Sequence, residues 1–563
     1  MSFSPQSIAV NWLNDFANHL AVGNVQGVAS CFHEDGWLRD ILIFSWNNRS
    51  LAGPTKITQY LQENLKPNVI SNVRIDQKPF LAPQLGKITP TKDGVSAGFT
   101  FDTPIAYGQG YFTLLDVGGG EWKALTALVM MEDLKGHEEL GIEEGMYEGH
   151  TKAWGDVKME RQERIEKDPH VLIVGAGQNG LNVAARFKQM QIPSLLIERN
   201  ARVGDNWRQR YPMLTLHTPK SQHRMLYQPH PETWPMYTPR DKLANWLEQY
   251  ADNQDLVCWT KSKPLPTPTY DFTTKKWTVD IDRDGETVTI HPSHIVLATG
   301  TLGAPRMPSF QGQDQFDGKI LHACSYPGGR QFTGKRVIVV GAGNTSADIC
   351  QDLTTHGASV TMVQRSTTCV QSIKNTRAAL LHTWPVEVPP HISDMKFVAT
   401  PLPLLQKEMA LVNDQWQTVD KEMHEGLRKT EFDLNLGPDG TGVLMMVFDR
   451  FGGVDVGCAE LIVSGKIKIK HGVEVDRLAK NEVFFSDGSS LPADAIVFAT
   501  GYENIREVTK KTFGAEAIDM TSEVWGLDEE GELRGSYRPT GHPGVSTKLR
   551  RWEQITDTSG WWL

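Results

Sequence analysis

Two glycine-rich turns in this chain of 563 residues have the spacing that holds a dinucleotide. In the first, Gly175, Gly177 and Gly180 follow the apolar run 170–174 and open a stretch of helical pattern reaching to about Met190. The first glycine allows the tight turn, the second lets backbone approach a pyrophosphate, and the third lets helix and strand pack closely. The positive end of that helix then faces the phosphates. A second apolar run, 194–197, ends in Glu198, where a carboxylate can accept hydrogen bonds from an adenosine ribose.

The second turn follows the run 337–340 and reads Gly341, Gly343, Asn344, Thr345, Ser346, again before a helical pattern. Ser346 stands where the third glycine would be, and its extra hydroxymethyl is expected to open the helix–strand contact slightly. The following run, 359–363, leads to Gln364, Arg365 and Ser366 instead of an acid. A carboxylate there would repel a 2′-phosphate, whereas arginine offers it a planar fork of donors. The charge logic of the two turns is thus opposite. We read FAD at the first and NADPH at the second, with Arg365 on the phosphate and hydride transfer between the two cofactors.

The elements around these turns set the architecture. Beyond residue 150, short β-branched runs alternate with helical stretches, as βαβ units and parallel sheets require. Residues 1–150 differ. They open with Trp12, Leu13, Phe16 and Leu20 at helical spacing and continue in alternating, turn-broken segments, an α+β pattern. The fold class is therefore α/β, with two Rossmann-like dinucleotide-binding domains after an α+β domain. We place the α+β domain at 1–150, a charged linker at 151–168 and the first part of the FAD domain at 169–333. The NADPH domain then runs over 334–480, and the second part of the FAD domain over 481–563.

Composition narrows the class further. With 57 basic and 67 acidic residues the net charge is −10, so no basic footprint for nucleic acid or an anionic membrane is expected. No run of 18 apolar residues suggests a membrane span, and no secretory signal pattern opens the chain. Six scattered cysteines without a C-x-x-C pair read as reduced thiols, which implies a cytoplasmic location and removes the disulfide-reductase class. No metal-ligand spacing is present, and no metal is expected.

Between the turns, Phe316, Gly318, His322 and Tyr326 have the spacing F-x-G-x-x-x-H-x-x-x-Y, which resembles the signature of class B flavin-dependent monooxygenases, the flavin-containing monooxygenase family. Ala298-Thr299-Gly300 and Phe498-Ala499-Thr500-Gly501-Tyr502 extend the resemblance. The segments GKILHACSYPGG, LTLHTPKSQ and WPMYTPRDKLANWLEQYA are similar to YUCCA-type and related fungal members. The resemblance covers roughly residues 165–545. It implies that Gly175, Gly177, Gly180, Glu198, Gly204 and Trp207 hold FAD. Gly341, Gly343, Asn344, Thr345 and Arg365 would hold NADPH, and Thr500 and Gly501 join the cofactor-binding set.

The resemblance also supplies the catalytic candidates His217, His322 and Tyr326. His217 stands where animal-type members carry an asparagine beside the flavin, and is read either as a hydrogen-bonding group there or as a structural histidine. His322 and Tyr326 are read as organisers of the interdomain cleft. The implied activity is NADPH- and O2-dependent insertion of one oxygen atom into a small organic substrate through a flavin hydroperoxide. Indole-3-pyruvate, or a soft amine or sulfur nucleophile, is a candidate substrate; Baeyer–Villiger oxygenation of a ketone is the alternative.

The N-terminal part, with its FHEDGWLRDILIF segment, resembles SnoaL-like cones. His33, Asp35, Arg39 and Asp40 there are read as a polar pocket or, preferably, a surface ion pair at a strand edge. The domain is expected to pack over the flavin site or to offer a homodimer surface. After Gly544 the family continues into a strand, a Gly-Asp turn and a closing helix, and the run VSTKLRRWEQITDTSGWWL is expected to supply none of these. An impaired relative serving as a binding or scaffold protein is therefore kept as a further alternative to the oxygenase reading.

Overall fold

A computed structural model describes residues 4–66, 69–437, 440, 442, 451–524, 526–535 and 538–547. The chain opens with the helix Pro5–Ala21, started by Ser4, whose hydroxyl accepts the N–H of Ser7 at 3.1 Å, and by proline in the first turn. Its Trp12, Leu13, Phe16 and Leu20 are buried, as the helical spacing requires. They face a seven-stranded sheet in the order Asn48–Ala52, Phe32–Ile41, Glu121–Leu134, Ala106–Gly118, Asp93–Asp102, Ser71–Ile75, with Gln84–Lys87 also paired to Asp93–Asp102. Phe32–Ile41 runs parallel to Glu121–Leu134; the other pairings are antiparallel.

Aromatic rings fill the space between this helix and the sheet. Trp12 lies 5.0 Å from Phe16 and 4.5 Å from Phe112 between ring centroids, with Phe32, Phe99 and Phe101 in the same cluster. The polar pocket expected from His33, Asp35, Arg39 and Asp40 does not form, and neither does the surface ion pair. Consecutive strand residues point to opposite faces, so Arg39 and Asp40 part company. Asp40 is fully buried and accepts the N–H groups of Ile43, Phe44 and Ser45 and the hydroxyl of Tyr60. Burial pushes its carboxyl up to about 6. Arg39 pairs instead with Glu532 at 2.5 Å, both buried. Nearer the start of the strand, His33 Nδ1 accepts the N–H of Asp35, two residues on.

Two five-stranded parallel sheets follow. The first runs Cys258–Trp259, Ser194–Ile197, Val171–Val174, His294–Leu297, Val545–Thr547. The second runs Lys319–His322, Ala495–Phe498, Arg336–Val340, Ser359–Gln364, Ile467–His471. Two expectations are corrected by this topology. Lys319–His322 and Ala495–Phe498, placed in the FAD domain by the boundaries 169–333 and 481–563, belong to the second sheet, because a four-residue apolar strand looks the same in either. The residues after Gly544 do supply a strand: Val545–Thr547 pairs with His294–Leu297 in the first sheet. Trp552, Trp561 and Trp562 lie outside the described residues.

Antiparallel strands Leu302–Pro305 and Tyr502–Asn504 cross between the two sheets. An insert of helices after Ser359–Gln364 reaches back to the N-terminal sheet. Ile392, Met395 and Val398 of the helix Pro390–Val398 pack on Ile41, Tyr111, Leu128 and Met130, and Leu404 packs on Trp37, Leu115 and Leu125.

Candidate functional site

Each glycine of the first turn has its own physical requirement. Gly175 has φ +107°, and a Cβ there would meet the carbonyl oxygen of Ala298 at 2.5 Å. A Cβ at Gly180 would come 1.9 Å from the carbonyl oxygen of Gly175, so this residue sets how closely helix Gln178–Gln189 approaches the strand. Gly177 is different: its φ of −81° suits any residue, and a Cβ would meet nothing nearer than Asn206 Nδ2 at 3.6 Å. No protein neighbour needs a glycine at that position. The ground in front of it is open, as close approach by a pyrophosphate demands.

Glu198 is buried beneath this turn. The N–H of Ala176 donates to its Oε2 at 3.0 Å, and the backbone and side-chain amides of Asn200 donate to its Oε1 at 2.9 and 2.7 Å. The carboxylate thus braces the turn, and Asn200 is a residue that sequence reasoning missed. Gly204 has φ +88° and would clash with the carbonyl oxygen of Ala244, 2.3 Å from an added Cβ. It starts the short helix Asp205–Arg208, from which the indole N–H of Trp207 donates to Gln178 Oε1 at 3.1 Å.

At the second turn Gly341 has φ +122°, and a Cβ would lie 2.5 Å from the carbonyl oxygen of Ala499. Ser346 is buried in the helix–strand contact, 1% exposed, and its Oγ has no hydrogen-bond partner among the described residues. The same holds for Asn344 Oδ1, at the start of helix Asn344–Thr355. The orphaned Asn344 Oδ1, at the helix N-terminus, fits a ligand that supplies its missing partner, whereas Ser346 Oγ is shut inside the helix–strand contact. Arg365, just past strand Ser359–Gln364, is largely exposed and pairs with Glu474 at 3.0 Å.

The cleft between the sheets is tied by helix Asn344–Thr355. Asp348 accepts the hydroxyl of Tyr211 at 2.7 Å, and His217 Nε2 lies 3.6 Å from its other oxygen. One turn on, Asp352 accepts the hydroxyl of Tyr326 at 2.9 Å and the N–H of Gly329 at 2.6 Å. Burial first, and the Asp348 and Asp352 carboxylates second, hold the Tyr211 and Tyr326 phenols well above their ordinary range. His322 Nδ1 accepts the N–H of Cys324 at 3.2 Å, which leaves Nε2 to donate to the carbonyl of Gly501 at 3.1 Å. Burial lowers its pKa, so it stays neutral and bridges the signature segment to the returning strand. Thr500 Oγ1 donates to the carbonyl of Arg306 at 2.5 Å on the same crossing.

Thus His322 and Thr500 hold the crossing that follows Ala495–Phe498, Tyr326 is bonded to Asp352 within the unit of the second sheet, and His217 faces an acid of helix Asn344–Thr355. Tyr211, Asp348 and Asp352 were not singled out from sequence. The i, i+4 spacing of the two acids behind the second turn was the available signal.

Residues 166–507 match the family described as FMO-like, flavin-binding monooxygenase-like. A relative named probable indole-3-pyruvate monooxygenase YUCCA9, from Arabidopsis thaliana, is 30% identical over 339 residues, covering 59% of this chain and 75% of that protein. The indole-3-pyruvate monooxygenase YUCCA1 of Oryza sativa subsp. japonica is 30% identical over 350 residues, 62% of this chain and 80% of its own. Among solved structures, the flavin-containing monooxygenase from Stenotrophomonas maltophilia superposes with a TM-score of 0.45 at 17% identity, covering 69% of this chain and 95% of that one.

Proposed function

The chain belongs to the flavin-binding monooxygenase-like family as an NADPH-dependent flavin monooxygenase, and from that premise we propose how its own residues carry the reaction. Gly175, Gly177 and Gly180 take the FAD pyrophosphate at the N-terminus of Gln178–Gln189, with Glu198 on the ribose side and Gly204 and Trp207 beyond it. Gly341, Gly343, Asn344 and Thr345 take the pyrophosphate of NADPH, and Arg365 its 2′-phosphate. When bound, FAD supplies the two-electron chemistry that links NADPH oxidation to the reduction of dioxygen. One oxygen atom goes to the substrate and the other leaves as water, so each turnover consumes one NADPH and one proton.

The protein's contribution is placement and exclusion of water. Asp348, holding Tyr211 and facing His217, fixes the second nucleotide helix against the first domain. Neutral His322 fixes the crossing, and Tyr326 fixes the signature segment to the second nucleotide helix. No side chain in this set is required as a nucleophile. The observation that carries the reading is the pairing of two glycine turns with different far ends, buried Glu198 at one and Arg365 at the other, across a cleft tied by Tyr211 and Asp348.

For the substrate we propose an arylpyruvate, on the names of the two plant relatives. The N-terminal unit is read as a SnoaL-like cone whose filled interior makes it a packing domain. The proposed location is the cytoplasm: all six cysteines are free, and no helix among the described residues is long and apolar enough to cross a membrane. NADPH oxidation by the FAD-loaded enzyme is to be followed with hydrogen peroxide release. Indole-3-pyruvate is expected to speed oxidation and suppress peroxide, and a thioether to do neither. Peroxide formed one-for-one with NADPH under every substrate would overturn the assignment.

A further inference from the structure

We propose that the cleft where the N-terminal sheet, the first nucleotide helix and the insert helix Pro390–Val398 meet is a second small-molecule site, built for an amphoteric ligand of the α-amino acid class. It has a volume of about 510 Å³, within the roughly 300–1,000 Å³ of small-ligand sites. None of the glycine-turn residues lines it. Arg186, which does, stands six residues beyond Gly180 on the same helix, about 9 Å along its axis. This inference does not depend on the oxygenase reading.

The charges in its wall divide into two groups. Arg186 is satisfied by the protein: it pairs with Glu139 and with Asp133, and the hydroxyl of Tyr227 also donates to Glu139. Glu132 and Arg224 are left over. Glu132, on strand Glu121–Leu134, has its Oε2 buried with no hydrogen-bond partner, and burial pushes its carboxyl up to about 7 against the pull of Lys78 and Arg186. Arg224 is half-buried, and burial lowers its pKa against the pull of the Asp394 carboxylate, whose Oδ1 accepts the indole N–H of Trp384 at 2.7 Å. Among the described residues Glu132 and Arg224 form no ion pair with each other, although both line this cleft.

Desolvated charged groups are costly unless partnered. An acid and a base that share a cleft without touching are satisfied together by a molecule carrying an ammonium for the one and a carboxylate for the other. Met225, Leu226 and Pro229 offer apolar wall to its body. The loop that presents Arg224 is fixed from behind, since the N–H of Leu226 donates to Asn182 Oδ1 at 3.0 Å on the nucleotide helix. Tyr227 holds a left-handed φ of +63°, a conformation that persists only when its surroundings impose it.

The test is titration calorimetry on the full-length, FAD-loaded protein with L-phenylalanine as probe. 3-Phenylpropanoate, lacking the ammonium, and 2-phenylethylamine, lacking the carboxylate, are the single-ended controls. Saturable one-to-one binding of L-phenylalanine is expected, at least tenfold tighter than either control. Arg224→Gln should abolish its advantage over the amine, and Glu132→Gln its advantage over the carboxylate. Arg224→Lys, which keeps the charge, should retain part of the affinity and guards against a folding defect in Arg224→Gln. Absence of saturable binding, or affinity untouched by both substitutions, would overturn the site.

Discussion

Arg365 and Glu474 form an exposed pair, and such pairs are worth only about 0–1 kcal/mol. Their consequence lies in what each does to a bound 2′-phosphate. Arg365 gains a doubly charged partner, while Glu474 is brought beside a like charge. Arg365→Ala is therefore expected to raise KM for NADPH at least tenfold and KM for NADH less than twofold. Glu474→Gln should move the NADPH value the other way, lowering KM two- to fivefold, with the gap shrinking as salt is added. Steady-state kinetics with both coenzymes at two ionic strengths checks the pair. At Asp348 the expectation concerns rate instead. Asp348→Asn keeps the shape but weakens the charge-assisted bond from Tyr211, so flavin content should hold while NADPH-dependent flavin reduction, read by stopped-flow absorbance, slows by about tenfold.

At the scale of elements, the first turn separates ligand contact from packing. Alanine at Gly177 meets no protein atom within 3.5 Å, so Gly177→Ala should leave the melting temperature of the FAD-free protein unchanged and weaken FAD binding at least tenfold. Alanine at Gly180 is driven into the carbonyl oxygen of Gly175, so Gly180→Ala should lower the melting temperature and the flavin content together. Fluorimetric FAD titration beside thermal melts distinguishes the two. These turns were legible from sequence because strand, glycines, helix and terminal residue are contiguous, and their chemistry is local. The sheet membership of Lys319–His322, Ala495–Phe498 and Val545–Thr547 was not, because pairing partners lie far along the chain and a short apolar strand carries no address. For the same reason Tyr211 could not be matched to Asp348, 137 residues away.

The whole molecule depends on a junction between its two ends. Arg39 donates to the carbonyl of Val398 and to Asn48 Oδ1 and pairs with Glu532, which also accepts from Asn48 and Ser50. Beside it Arg49 pairs with Glu530, which Arg538 also reaches at 3.0 Å. Removing one member of a buried pair strands the other charge, at a cost of about 3–5 kcal/mol, whereas replacing both with apolar residues of similar size is often neutral. Glu532→Ala should thus lower the first thermal transition by several degrees, and the double variant Arg39→Met with Glu532→Leu should recover most of that loss. A double variant as unstable as the single one would show that the junction needs its hydrogen bonds to Val398 and Asn48 more than its charge balance. Deleting residues 1–150 is more severe: it bares Ile392, Met395, Val398 and Leu404 together with Glu530 and Glu532. The truncated protein should aggregate or, if kept soluble, release more hydrogen peroxide per NADPH, because the insert helices seated on the N-terminal sheet lose their support. A truncated enzyme with parental melting and parental peroxide yield would mean that the second nucleotide domain holds its insert in place unaided.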